Sequence, residues 1–244
     1  MNKKDRKIVK ILGINLNSNR YNEVLNYLEE GIKRGKKTFL VTVNPEFVVY
    51  AQENKRFKEI LNLADMAVAD GIGLVWASRY LKWRGKTSYS LPERIAGADL
   101  VEDLLRLGQT YRWQIGVVGA RNHDDSGEER RRQIKILQEK FKGAKIFSLE
   151  ETPNWQKQKW DIVFACQGMG KQEEWIKKNL PKNDILLAMG VGGALDFLTG
   201  FVPRAPLFIR KIGFEWLFRL LIQPWRWRRQ INLLKFVWLV FLDR

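Results

Sequence analysis

Residues 39–78, FLVTVNPEFVVYAQENKRFKEILNLADMAVADGIGLVWAS, constrain the fold more than any other stretch. They hold two apolar runs, each ending abruptly in loop chemistry, with a helical span between. The first run, Phe39-Leu40-Val41, leads into Thr42-Val43-Asn44-Pro45. Pro45 lacks a backbone N–H and turns Asn44 away from helical backbone, so a strand must stop there. Apolar spacing then predicts a helix from about Glu46 to Asn62. The second run, Met66-Ala67-Val68, ends at Asp70-Gly71-Ile72-Gly73. In an open α/β sheet, ligands gather at the carboxyl ends of parallel strands. Thr42, Asn44 and Asp70 are therefore expected on one rim, where Gly71 and Gly73 let a ligand approach the backbone. Asp65 precedes its strand and belongs at the opposite end of the sheet.

The alternation continues along the chain. Strands are expected at Ile8–Leu12, Trp113–Val118, Lys145–Leu149, Asp161–Cys166 and Asp184–Met189. Asn17-Ser18-Asn19 reads as turn and N-cap chemistry, followed by a helix with Tyr21, Val24, Leu25, Leu28 and Ile32 on one face. Further helices carry Leu74, Val75, Ala77 and Tyr80, then Leu100, Val101, Leu104 and Leu105, then the charged span Glu128–Phe141. Lys82–Leu91 reads as a basic, mobile loop near the rim, and Glu150–Trp160 as polar turns. Such a pattern predicts an α/β fold with a parallel or mostly parallel sheet. Glycines follow two strands, at Gly168-Met169-Gly170 and Gly190-Val191-Gly192-Gly193. They suit a phosphorylated ligand against backbone N–H groups, but neither spells G-x-G-x-x-G or a P-loop.

The 244 residues carry a formal charge of +16, which favours an anionic partner: nucleic acid, acidic lipid or a phosphorylated substrate. The lone cysteine, Cys166, excludes an intrachain disulfide, suits a reducing compartment and sits in an apolar run as a small hydrophobe. The lone histidine, His123, has no cysteine near it in sequence, which argues against a zinc site. Neither a signal peptide nor an uninterrupted apolar run of about 18 residues is found.

From Pro203 the composition changes. Arg204, Arg210, Lys211, Arg219, Arg226, Arg228, Arg229, Lys235 and Arg244 face only Glu215 and Asp243, with Trp216, Trp225, Trp227 and Trp238 among them. Pro224 divides two helix-like segments. The second has Ile231, Leu234, Val237, Trp238 and Phe241 at spacings of three and four. Basic helices rich in Trp and Leu suit the membrane interface. Packing on the core and burial in a homo-oligomer are the alternatives. Long aliphatics among the rings argue against nucleic acid, which stacks on more polar platforms. The division expected is a core over 1–202 and an appendage over 203–244.

Taken in order, TVNPE, ADGIGLVWAS, ERIAGADL, GMGKQEEWI, GVGGALDFLTG and RAPLFIRKIGFEWLFRLLIQPWRWRR resemble the WecG/TagA/CpsF family of bacterial glycosyltransferases, over residues from about 10 to 230. The resemblance implies a Rossmann-like core without metal or other cofactor, acting at the cytoplasmic membrane face. It implies transfer of a sugar from a UDP-sugar donor to an undecaprenyl-diphosphate-linked acceptor, with N-acetylmannosamine moved onto lipid-linked N-acetylglucosamine in teichoic acid-like synthesis. UDP-N-acetylmannosaminuronic acid and UDP-glucose are alternative donors. Carried over by motif, Asp70 resembles the general base. Thr42 and Asn44 resemble pocket residues, Arg94 a phosphate contact and Gln172 a donor-pocket residue. Arg219, Arg226 and Arg229 resemble arginines that close over the site. Two departures are Gly168-Met169-Gly170 before the KQE segment and Asp124-Asp125 after Gly119-Ala120-Arg121-Asn122-His123. The KWRGKTSYSLP loop is also long.

Sugar transfer needs a base for the acceptor hydroxyl and positive charge for the departing diphosphate. Asp70 fits the first need, the competing role being a cap on the following helix. With no Asp-x-Asp pair in the sequence, arginine is expected to meet the second. Glu173 is expected to be exposed, and Asp196 to cap or hold a structural contact. A membrane-recruited, nucleotide-binding scaffold without catalysis is the reading from another class.

Overall fold

Strand formation follows buried runs that are apolar on both faces. The computed structural model describes residues 7–119, 127–211, 213–224 and 227–243, the side chains of 211 and 228–230 aside. Six strands form one parallel sheet: β3 (Thr38–Val43), β4 (Met66–Ala69), β5 (Gln114–Val118), β6 (Lys145–Ser148), β7 (Trp160–Ala165) and β8 (Ile185–Gly190), in the order β4-β3-β8-β7-β5-β6. Buried parallel strands need cover on both sides. Successive residues of β3 alternate between two cores, Phe39, Val41 and Val43 in one and Leu40 in the other. The expected α/β, Rossmann-like architecture is observed, and each sheet strand lies within a residue or so of its expected position.

One face is covered by α2 (Pro45–Glu53), α3 (Lys55–Leu63), α4 (Ile72–Trp83) and α7 (Lys171–Asn179). The other is covered by α1 (Tyr21–Lys33), α5 (Gly97–Tyr111), α6 (Glu128–Lys140) and α8 (Ala194–Leu198). The C-terminal segment forms α9 (Leu207–Lys211), α10 (Glu215–Ile222) and α11 (Trp227–Leu242), one helix more than the division at Pro224 suggested. α11 lies against α2 and α4 and inserts Phe236 and Val240 into the first core. The face carrying Ile231, Leu234, Val237, Trp238 and Phe241 is exposed.

Several expectations need correction. The single helix from Glu46 to Asn62 is two helices. Asn54 ends α2 and begins α3, and its Oδ1 accepts the Phe57 N–H at 2.9 Å. A side chain that caps a new helix locally outcompetes continuation of the old one. The first strand is half of a hairpin, β1 (Ile8–Ile11) with β2 (Ile14–Asn17). Leu12 and Gly13 turn it with φ of 48° and 82°, the two-positive geometry that suits hairpin twist. Asn17 therefore ends a strand instead of capping a helix, and its Oδ1 accepts the Ala67 N–H of the sheet's edge strand β4 at 2.8 Å. The Lys82–Leu91 loop is fastened at its end, where Leu91 is buried and its N–H meets Ser78 Oγ at 2.9 Å. The segment from Ala120 to Asp125, with His123, lies outside the described residues.

Candidate active site

The turns after β3, β4, β7 and β8 open on one cavity of about 1450 Å³. Thr42, Asn44, Asp70, Gly71, Gly73, Arg94, Gln172 and Arg219 all line it. Arg226 lies outside the described residues. Arg229 falls within α11, but its side chain is not described.

Each turn is set by local chemistry. Pro45 is the first residue of α2, and Asn44 caps that helix through Oδ1 and the Phe47 N–H at 3.0 Å. Asn44 thus has a structural duty beside any ligand contact. Packing favours glycine at both turn positions, more strictly at Gly71, where a Cβ would stand 2.8 Å from Pro45 Cδ. One on Gly73 would stand 3.3 Å from Pro45 Cγ and 3.7 Å from Leu233 Cδ1.

Asp70 follows β4, and its backbone N–H meets Val43 O at 2.6 Å. Its side chain does not cap α4, which begins from Gly71; it accepts the Gly97 N–H instead. About a quarter of that side chain (27%) opens to the cavity, and the surrounding walls strip the rest of water. Burial lifts its carboxyl to about 6, against the pull of Arg94 and the Gly97 N–H and with help from Glu215 and Asp99.

Arg94 is the hub of a charged array that joins core to C-terminal segment. Its Nε stands 3.6 Å from Asp70 Oδ1, too far for a hydrogen bond, while its Nη2 donates to Glu215 Oε2 at 2.6 Å. Glu215 begins α10 and is 8% exposed. Arg204 reaches its other oxygen at 3.5 Å and also binds Asp99 Oδ1 at 2.6 Å, which Arg210 meets at 3.2 Å. Burial works to raise the Glu215 carboxyl, but Arg94 and Arg204 outweigh it and hold it below the ordinary range. Arg94, expected to meet phosphate, is therefore already engaged by two carboxylates.

Sequence reasoning missed Glu215, Asp99, Arg204 and Arg210, whose pairings span up to 121 positions. It also missed Arg130 and Gln133, buried residues of the charged helix α6 that line the cavity. Gln133 donates to Asp196 at 2.9 Å, the structural contact expected there. Cys166 is only partly buried, at the cavity wall; desolvation pushes its thiol up to about 11, which keeps it protonated and a poor nucleophile.

Glu173 corrects an expectation outright: it is 1% exposed. Its Oε1 accepts from Gln172 Nε2 at 2.6 Å and its Oε2 from the Gly170 N–H at 2.7 Å, while Gln172 Oε1 receives the Gly192 N–H at 3.2 Å. This knot ties the turns after β7 and β8 together. Only glycine fits at 190, where a Cβ would lie 2.5 Å from Gln172 Nε2. Burial lifts the Glu173 carboxyl from 4.5 to about 7, although both hydrogen bonds oppose it. The folded state then holds a proton that the unfolded chain has released. The stability from this group is full below about pH 4.5 and is lost as pH rises through about 7. Glu173→Gln removes the titration but sacrifices one acceptor. It is expected to melt below the parent near about pH 5 and to converge with it near about pH 8. Scanning fluorimetry across that range checks this.

The model of the glycosyl transferase WecG/TagA/CpsF family matches residues 9–244. An N-acetylglucosaminyldiphosphoundecaprenol N-acetyl-beta-D-mannosaminyltransferase of Bacillus spizizenii is 32% identical over 222 residues, covering 84% of this chain and 79% of that protein. One of the same name from Staphylococcus aureus is 33% identical over 195 residues, covering 78% and 73%.

Proposed function

Because the chain belongs to the WecG/TagA/CpsF glycosyltransferase family, we propose that it moves N-acetylmannosamine from a UDP-sugar onto undecaprenyl-diphosphate-linked N-acetylglucosamine, in cell-wall teichoic acid-like synthesis. The relatives' names support the reaction. The observation that carries the site is Asp70, a carboxylate about a quarter open to the rim cavity and poised near neutrality.

In this reading an acceptor hydroxyl oxygen forms the new bond to the anomeric carbon of the donor. The bond from that carbon to the diphosphate oxygen breaks, and its electron pair leaves with UDP. The hydroxyl proton passes to Asp70. A base works best when its pKa lies near the operating pH, and a value about 6 leaves Asp70 ionised yet basic at neutrality. Thr42 and Asn44 flank the sugar, and Gln172 holds the donor-side turn. Arg219, whose guanidinium lies 4.6 Å from the centre of the Phe197 ring at the cavity wall, receives diphosphate charge, with Arg226 and Arg229 joining it. Arg94 acts on Asp70 through its charge, favouring the ionised carboxylate.

The division proposed is a catalytic core over 1–202 and an appendage over 203–244 that completes the site. No helix of the described residues is long and apolar enough to cross a membrane. The appendage nevertheless exposes Leu207, Phe208, Leu221, Trp227, Leu234 and Trp238. Such a surface among arginines supports peripheral attachment at the inner face of the cell membrane.

The test is transfer from a panel of UDP-sugars to an N-acetylglucosaminyl-diphosphate lipid, with and without EDTA. We expect UDP-N-acetylmannosamine to be preferred and EDTA to leave the rate unchanged. UDP binding without transfer to any acceptor would overturn the enzymatic assignment in favour of a nucleotide-binding scaffold.

A further inference from the structure

The cavity is chemically divided. Thr42, Arg94 and Glu215 surround Asp70 with charged and hydrogen-bonding groups, and Asp196 and Arg219 line the same cavity by the turn after β8. Towards α4 and α11 this stops. Every described residue that these two helices contribute to the lining is apolar or aromatic, among them Trp76, Ala77, Tyr80, Leu233, Val237 and Phe241. The one hydroxyl among them, on Tyr80, is engaged by Arg84 Nη1 at 2.9 Å. The Tyr80 and Phe241 rings meet across the seam at 4.9 Å between centroids.

The seam begins at the reacting rim. Leu233 lies 3.7 Å from where a Cβ of Gly73 would stand, three residues beyond Asp70. From Gly73 to Tyr80 the wall of α4 is about 10 Å long, at about 1.5 Å per residue. Above Phe236 and Val240, which are buried, the outer seam is open. Trp76 is 69% exposed, Phe241 58% and Val237 44%, although such side chains gain by burial. An apolar groove that opens from a charged pocket fits one kind of ligand: a charged head continuous with a hydrocarbon chain.

We propose that the seam between α4 and α11 binds the first isoprenoid units of the acceptor lipid while its diphosphate sugar lies at Asp70. The inference rests on the lipid-linked acceptor proposed above and adds where that lipid runs. A face that merely rests on a membrane needs no passage to the carboxylate; a groove that delivers the acceptor does. Trp76 then serves as the core's own contribution to the lipid path, which the C-terminal composition did not foretell.

Two arms test this with the full-length chain and no vesicles. In the first, farnesyl diphosphate bearing a benzophenone at the far end of its chain is irradiated with the protein. Label is expected on peptides spanning Ile72–Trp83 and Ile231–Leu242. Label confined to other segments overturns the proposal, whether or not the protein transfers sugar. In the second, N-acetylglucosaminyl diphosphates with dimethylallyl, geranyl and farnesyl chains are compared as acceptors. KM is expected to fall about tenfold or more per added unit, and Val237→Trp, which fills the seam, abolishes that dependence. Leu234→Ser, on the exposed face of the same helix, keeps it. A parent KM independent of chain length, or a Val237→Trp variant with the full dependence, overturns the proposal. Labelling of the seam by a chain that transfers to no acceptor would sink the enzymatic reading alone.

Discussion

Asp70→Asn is expected to lower kcat about 10²–10⁴-fold, the range that general bases contribute, without loss of fold. Asparagine keeps the size of the side chain and an oxygen for the Gly97 N–H, but it cannot take a proton. The parent's kcat/KM is expected to rise with pH along a limb centred at about 6, because burial holds the carboxyl there and the protonated form is inert as a base. The residual rate of the variant should be flat over that window. Stability should move the other way. The folded carboxyl titrates at about 6 instead of 3.8, so folding favours its protonated form and loses stability as pH climbs through that window. Asparagine escapes this loss, and the melting temperature of the variant near about pH 8 should equal or exceed that of the parent. Sites strained for chemistry commonly gain stability when the reacting group is removed. Single-turnover transfer with pre-bound acceptor separates the chemical step from binding. An unchanged kcat would remove Asp70 as the base.

The parts of this site that could be read in the sequence are those fixed by neighbours in the chain. Pro45 stops β3 whatever surrounds it, and Gly71 marks the end of β4, so the rim with Thr42, Asn44 and Asp70 was legible. Hydrophobic runs located all six sheet strands. What escaped depends on geometry at a distance. Glu173 stands in a charged string, Lys171-Gln172-Glu173-Glu174, whose letters suggest solvent. Its burial arises because the Gly170 and Gly190 turns fold over it from two different strands. Asn54 looked like one polar residue of a long helix, since its side-chain bond to the Phe57 N–H has no periodic signature. Arg130 and Gln133 belong to a charged helix expected to be exposed on one side, and charged or polar letters gave no sign that they form its inner face.

Glu215 shows the same limit and carries the second large prediction. In sequence it is one acid among many arginines, which suggests only local charge balance. In the fold it is the acid through which the C-terminal segment engages Arg94, beside the proposed base, with Arg94 Nη2 at 2.6 Å and Arg204 Nε at 3.5 Å. The three side chains keep only 10–18% of their surface exposed. Removing Glu215 takes one carboxylate from each of two largely buried guanidiniums, leaving Asp70 to Arg94 and Asp99 to Arg204, and breaking such a pair costs about 3 kcal/mol. Glu215→Leu is therefore expected to loosen α10 and α11 from the core. Amide exchange in 213–224 and 227–243 should quicken about a hundredfold, while β3 and β8 stay protected. Transfer should fall with it, since Arg219 and the seam wall on α11 leave the cavity together. A double-mutant cycle with Arg94→Met should return a coupling above about 1 kcal/mol; additive losses would mean that the contact does not hold the segment. The milder Glu215→Gln separates docking from chemistry. It removes a negative charge that raises the Asp70 carboxyl and releases Arg94 to act on Asp70 alone. Both changes favour the ionised base, so the acidic limb of kcat/KM should move below that of the parent. A segment that served only as mechanical cover would leave that limb in place.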